Sequence, residues 1–201
     1  MGQAQRSRWN HNIHFHPVVM KAIQPGAASA LDVGTGNGEL AAELRGALPD
    51  VTAVDVDSGV LATAAANHHG INWVHGDVMT YDFGRTFDVV ASVATVHHMP
   101  SLRDTLQRFA ELTSPGGVMV IIGLAQATTP RDRLLSVAGV AQHQWYSRTR
   151  IYWEHSAPTV WPPPHTYSEV RDSAAQALPG VRWQQFALWR YALIWHKPFS
   201  C

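Results

Sequence analysis

Three acidic side chains and a glycine-rich turn stand where a small polar ligand could be held. Gly34, Gly36 and Gly38 follow the apolar run 29–33 with G-x-G-x-G spacing and open a helix-like stretch from Glu39 to Leu48. Glycine at such a junction lets the backbone turn sharply and brings its amides close to a ligand. A dinucleotide fingerprint wants a glycine at position 39, where this chain has Glu39. The acid that precedes the loop, Asp32, suits a ligand bearing an ammonium group rather than a pyrophosphate, because opposite charges favour each other. Asp55 closes the next apolar run, twenty-three residues beyond Asp32. A carboxylate at the tip of a second parallel strand can accept two hydrogen bonds from a ribose diol. The third acid, Asp77, follows the run 71–75. A different chemistry is offered by His97 and His98, after the run 87–93. Histidine titrates near neutrality and can take a proton from a hydroxyl, thiol or amine. The same pair could instead line a pocket or cap the next helix without moving a proton.

The elements that must position these groups alternate. Strands are expected near 29–33, 51–56, 71–75, 87–93 and 118–124, with helices near 39–48, 58–68 and 101–112. Asp57 with Ser58 can N-cap the second of these helices. Ser101 with Asp104 reads as a capping box for the third, and Leu102, Leu106, Phe109, Ala110 and Leu112 form its apolar face. Ser114-Pro115-Gly116-Gly117 is a turn that stops it. Such alternation implies a parallel sheet with ligand sites at the carboxyl ends of its strands. The rhythm breaks after Leu124. A helix is expected from about Arg131 to Ala141, then an aromatic and histidine-rich stretch ending in Pro158, Pro162, Pro163 and Pro164. Thr166 with Glu169 caps a further helix that stops at Pro179-Gly180, and residues 181–188 and 189–196 read as closing strands. Trp189, Tyr191, Leu193 and Trp195 alternate and so should share one face of the last strand. Near the start, Pro17 to Ile23 could form a short helix.

Taken together, Leu31 to Gly38, Val54 to Asp57, Gly76-Asp77-Val78, Phe87-Asp88-Val89-Val90 and Leu112 to Gly117 resemble, in order and spacing, the class I S-adenosylmethionine-dependent methyltransferases, of the small-molecule, bacterial-like type. The resemblance covers about residues 27–124. It implies an α/β fold: a Rossmann-like, doubly wound seven-stranded sheet of order 3-2-1-4-5-7-6, last strand antiparallel, in a three-layer αβα sandwich. It implies one domain over 1–201, with an N-terminal lid or arm (1–26), a cofactor-binding core (27–124), an acceptor-pocket insertion (125–165) and a closing helix and strands (166–201). The cofactor it implies is S-adenosyl-L-methionine. Asp32 and the backbone of Gly34, Thr35, Gly36, Asn37 and Gly38 would hold its methionine portion. Asp55 would take the ribose hydroxyls, with Val56 and Asp57 alongside. Asp77 would accept from the adenine amino group, Val78 would pack on the ring, and Ala94 would border the cofactor at the end of strand four.

By the same resemblance, His97 matches a position that points into the acceptor pocket, and His97 or His98 is the candidate base. The Asn/Asp-Pro-Pro-aromatic motif that holds planar amino groups in family members is missing after strand four; Trp161-Pro162-Pro163-Pro164 matches it in letters only. The segment Trp9 to His16 would act as a lid, with Trp9 and His14 facing the acceptor, or else as a packed surface arm. Aromatic residues of the insertion, Trp145 and Trp153 among them, would wall a pocket for an apolar or planar molecule, although core packing would explain them as well.

Composition narrows the partners. The 201 residues carry 15 basic and 15 acidic side chains, so the formal charge is zero and no basic face for nucleic acid is advertised. Cys201 is the single cysteine, which leaves no disulfide framework or cysteine metal site. The histidines at 11, 14 and 16 lack the spacing of a helical ligand pair or a zinc knuckle, so no metal is expected. With no long apolar run or signal peptide, a cytoplasmic protein without membrane contact is expected, as monomer or homodimer. The expected function is methyl transfer to a small-molecule O, N or S nucleophile without a metal. The alternatives are a non-catalytic cofactor-binding protein, or methylation of protein or RNA.

Overall fold

The computed structural model describes residues 8–153 and 161–199. A two-residue strand β1 (Arg8–Trp9) leads through a 3-10 turn (Ile13–Phe15) into helix α1 (His16–Ala22). Then come β2 (Ser29–Val33), α2 (Glu39–Ala47), β3 (Asp50–Asp55), α3 (Ser58–Asn67), β4 (Asn72–His75), β5 (Phe87–Val93), α4 (Leu102–Leu112) and β6 (Thr113–Gly123). The remainder is α5 (Pro130–Thr149), β7 (Ile151–Tyr152), α6 (Tyr167–Ala177), β8 (Arg182–Gln185) and β9 (Tyr191–His196).

Seven strands form one sheet in the order β4-β3-β2-β5-β6-β9-β8. β2 to β6 run parallel, and β9 pairs antiparallel with both β6 and β8. Counted from β2 as the first core strand, this is the order 3-2-1-4-5-7-6. The central strands read as almost unbroken apolar runs because helices cover both faces. Alternate residues divide between two cores. Leu31, Val33, Val90, Met119, Ile121 and Leu193 face α4 and α6, whereas Ala30, Ala53, Val89, Val118, Val120 and Ile122 face α1 and α2. The result is three layers, with every carboxyl end of the parallel strands on one edge of the sheet.

Local chemistry accounts for most element ends. Asp57 caps α3, its Oδ1 accepting from the amides of Gly59 and Val60. Thr166 and Glu169 form a complete capping box on α6. At α4 only half the expected box exists: Ser101 Oγ accepts from the Asp104 amide, without the return bond. Helix α5 runs 20 residues, well beyond the expected stop at Ala141. A capping box of Thr129 and Asp132 with Pro130 at its first position starts it, no proline interrupts it before Arg150, and Gly139 inside it is buried where a Cβ would run into the Ala187 carbonyl. Ser114 to Gly117 do not simply precede β6 but lie inside it as an irregularity between the pairs Phe87–Thr113 and Val89–Val118.

The closing strands are shorter than expected. Residues 186–190 leave the ladder in a tight turn, in which the Phe186 amide donates to the Arg190 carbonyl (2.8 Å) and Trp189 adopts φ +55°. Tyr191, Leu193 and Trp195 do share a buried face, but Trp189 departs from it. At the other end of the molecule's edge, β1 pairs in parallel with β7, Trp9 opposite Tyr152, which ties the N-terminal arm to the segment after α5. Among the described residues no helix is long and apolar enough to cross a membrane.

Candidate active site

The carboxyl edge of the sheet opens into a cavity of about 960 Å³. One side of it is built from the turns after β2, β3 and β4. Gly34 (φ +69°) and Gly36 (φ +53°) take left-handed conformations that let the backbone line the cavity with Thr35 and Asn37. A Cβ at Gly34 would also run into the Thr95 side chain, whose Oγ1 donates to the Gly34 carbonyl (3.2 Å). Asp32 lies beneath, 2% exposed, and accepts from Thr35 Oγ1 at 2.7 Å. Burial pushes its carboxyl up to about 6, against the Thr35 hydrogen bond and the nearby His16 ring. Asp55 joins the first two turns, its Oδ2 accepting from the Gly36 amide (2.9 Å) and its Oδ1 from the Asp57 amide (3.0 Å). Asp77 lines the same cavity and accepts from the Met79 amide (2.9 Å). Between these acids, Val56 projects into the open at 67% exposure while Val78 is buried. Two apolar side chains beside two carboxylates suit a planar ring with polar edges.

The other side is built from the segment after β5, the turn before β9, and a roof. Ala94 leaves β5 at φ +56°, a conformation costing a non-glycine residue about 1 kcal/mol, held by its amide's bond to the Ile122 carbonyl (2.7 Å). The chain then forms a 3-10 turn (Val96–His98) that presents His97 and His98 to the cavity. Their rings lie 4.1 Å apart, and Nδ1 of His97 is buried with no hydrogen-bond partner. Burial, then the neighbouring His98, then Arg190 bring the His97 ring down to about 4. It is therefore neutral at physiological pH and a weak base. The expected titration near 6.5 does not apply to a ring so placed. Arg190 and Trp189 enter from the turn before β9. Asn10 to Ile13 and His16 from the arm, with Tyr152, Trp153 and Trp161, complete the lining.

The structure brings most of the expected cofactor residues together: Asp32, Gly34, Thr35, Gly36, Asn37, Asp55, Val56, Asp57, Asp77, Val78 and Ala94 all line this one cavity. Gly38 does not. It caps α2 at φ +80° with its Cα turned towards Trp73, whose ring a Cβ would meet at 2.6 Å, so its task is packing. Among the expected acceptor residues, His97 and Trp153 line the cavity, and Trp9, His14 and Trp145 do not. Trp9 is 1% exposed and sits in an aromatic cluster with His11, His143, Tyr146 and Tyr152, where pairing of β1 with β7 buries it. His14 packs on Phe15 and Tyr146 in that cluster, and burial lowers its pKa. Trp145 projects from the outer face of α5, 67% exposed. Sequence reasoning missed Asn12, Trp189 and Arg190. An arginine flanked by aromatic residues at a strand start was the available signal, but the turn that aims it inward was not visible. Among the described residues no three His, Cys, Asp or Glu side chains are grouped to hold a metal.

Comparison with known proteins agrees with this geometry. A family described as "Methyltransferase domain" matches residues 31–121. An uncharacterized methyltransferase of Mycobacterium tuberculosis is 35% identical over 193 residues, spanning 94% of this chain and 98% of the relative. A trans-aconitate 2-methyltransferase of Deinococcus radiodurans is 30% identical over 149 residues, 72% of this chain and 57% of that protein. Among solved structures, an S-adenosylmethionine-bound amino pentose methyltransferase from Micromonospora echinaspora superimposes with TM-score 0.52 at 26% identity, over 61% of this chain and 53% of its own. The turn glycines, the acids at successive strand tips and these matches define a Rossmann-like methyltransferase site whose residues fit S-adenosylmethionine. The chain belongs to the S-adenosylmethionine-dependent methyltransferase family, and that molecule is its cofactor.

Proposed function

We propose that the enzyme transfers the methyl group to an O, N or S nucleophile of a small molecule, without a metal. The observation that carries this reading is the roof. Asn10 to Ile13, Tyr152, Trp153 and Trp161 join the strand-edge residues in lining a cavity of about 960 Å³, at the upper end of the roughly 300–1,000 Å³ typical of small-molecule sites. That volume suits a cofactor with a modest acceptor beside it. Two relatives act on small molecules by their names, trans-aconitate and an amino pentose.

In this reading Asp32 faces the cofactor's ammonium, Asp55 its ribose hydroxyls and Asp77 its adenine amino group, with Val56 and Val78 against the ring. The amide bonds that Asp55 and Asp77 already accept fix their carboxylates before the ligand arrives. The bound cofactor supplies a methyl group on a good leaving group, so the protein's part is orientation and exclusion of water. His97, neutral and packed against the His98 ring, contributes shape and one ring N–H rather than a strong base.

The test is methyl uptake from labelled S-adenosylmethionine in a cell extract split into small-molecule, protein and RNA pools. Label is expected in the small-molecule pool. Label confined to protein or RNA would defeat the reading. Tight cofactor binding with no uptake in any pool would favour a non-catalytic binding protein.

A further inference from the structure

Arg190 is 7% exposed and forms no ion pair with a carboxylate among the described residues. Nη2 donates to Asn12 Oδ1 (3.0 Å) and Nη1, weakly, to the Trp189 carbonyl (3.4 Å), both neutral. Its Nε is buried without a partner. Burial brings the guanidinium down to about 10, partly offset by Tyr167 and Tyr152, so the charge is retained at neutral pH. A buried cation lacking a counter-charge is costly unless something supplies one.

The location says what that something is. Arg190 lines the cavity that the strand-tip acids line, and its field reaches His97. Arg190 immediately precedes β9, and β9 lies four strand positions from β3, which carries Asp55. At about 4.8 Å per strand that is roughly 19 Å. The cavity is thus polarised, with its carboxylates at the end that takes the cofactor and its one lining arginine at the far end. Beside the arginine sit a second buried nitrogen without a partner, Nδ1 of His97, and the Asn12 amide.

We propose that Arg190 is the anchor for a carboxylate on the methyl acceptor, with Asn12 and His97 beside it, so that the substrate is a small organic acid. This rests on the small-molecule reading above and narrows it. The guanidinium fork matches a carboxylate in two parallel hydrogen bonds, and Nε with a terminal nitrogen is the edge left open. One cation and two neutral groups balance a monoanion better than a phosphate dianion. Asn12 ties the anchor to the N-terminal arm, so a seated acid also braces the roof.

The full chain saturated with S-adenosylhomocysteine is titrated calorimetrically with short aliphatic and aromatic carboxylic acids. Each is matched with its primary amide and with a phosphate monoester of the same skeleton. At least one acid should bind about tenfold or more tightly than its amide, the difference a charged hydrogen-bonded pair supplies. Arg190→Gln should erase that preference and leave S-adenosylhomocysteine affinity within about twofold, and Arg190→Lys should restore part of it. Equal binding of acids and amides, preference for the phosphate esters, no binding by any acid, or a preference that survives in Arg190→Gln overturns the proposal. Should Arg190→Gln not fold, the acid–amide comparison on the parent protein decides alone. Labelled methyl found only in non-acidic small molecules sinks the carboxylate but leaves the small-molecule reading standing. Label in macromolecules alone sinks both.

Discussion

The two ends of the cavity are made by different means. The end proposed for the cofactor is local: three carboxylates at three strand tips, Asp32 satisfied by the Thr35 hydroxyl and Asp55 and Asp77 by amides of their own turn or the adjacent one. The acceptor end is assembled from distant pieces, with Asn12 from the arm, His97 after β5, Trp153 after β7 and Arg190 before β9. The first is rich in satisfied acceptors, and the second holds two buried nitrogens with no partner, His97 Nδ1 and Arg190 Nε. A satisfied end binds a constant ligand from a preset frame, whereas an unsatisfied end implies groups that the acceptor brings.

Breaking the satisfied end should have the largest effect. Asp55→Ala removes the acceptor of the Gly36 and Asp57 amides as well as the expected ribose contact. S-adenosylhomocysteine affinity should fall about a hundredfold or more by calorimetry. A loss below fivefold would show that Asp55 only braces the turns.

Next in size is a pH effect on the same end. Asp32 must ionise to meet an ammonium group, and burial holds its carboxyl at about 6. Affinity for S-adenosylhomocysteine should therefore rise roughly tenfold from pH 5 to pH 7 and then level, and Asp32→Asn should abolish the slope. Folding stability has the opposite sign: the folded chain keeps this proton more tightly than the unfolded one, so Asp32 makes stability fall as pH rises between about 4 and 6. His97, lowered to about 4, makes stability rise over about 4 to 6.5. The two oppose each other in melting curves, which makes affinity the cleaner measurement.

At the acceptor end, His97→Gln should lower turnover by less than about tenfold, short of the 10² to 10⁴ that loss of a general base brings. The parent's pH–rate profile should show no limb near 6.5 that the variant lacks. A thousandfold loss together with the disappearance of such a limb would restore His97 as the base. The smallest effect is expected outside the cavity. Trp145→Ala should leave turnover and KM within about twofold and stability within about 0.5 kcal/mol, as for exposed surface sites.

The cofactor end was legible in the sequence because its chemistry is written over a few consecutive residues. A glycine that must take positive φ at 34 and 36, and an acid at the end of an apolar run, announce themselves without tertiary contacts. So does a threonine three residues before a glutamate, and the α6 cap formed as read. Even there Gly38 shows the limit, since spacing cannot tell a glycine that faces a ligand from one that makes room for Trp73. At the acceptor end, residue type misled more often. Trp9, His14 and Trp145 have the chemistry of pocket residues, yet a two-residue pairing of β1 with β7 buries Trp9 in an aromatic cluster that His14 packs against, and α5 turns Trp145 outward. Arg190 and Trp189 read as strand residues until the turn at 186–190 lifts them into the cavity. The sequence by itself determined the order of the strands and helices and the acids at their tips, because propensity, capping and turn chemistry act over a few residues. Only the tertiary structure decided which aromatic residues face the acceptor, that His97 is a weak base, and that a cation waits beside it. Burial and electric field are set by residues far apart in the chain.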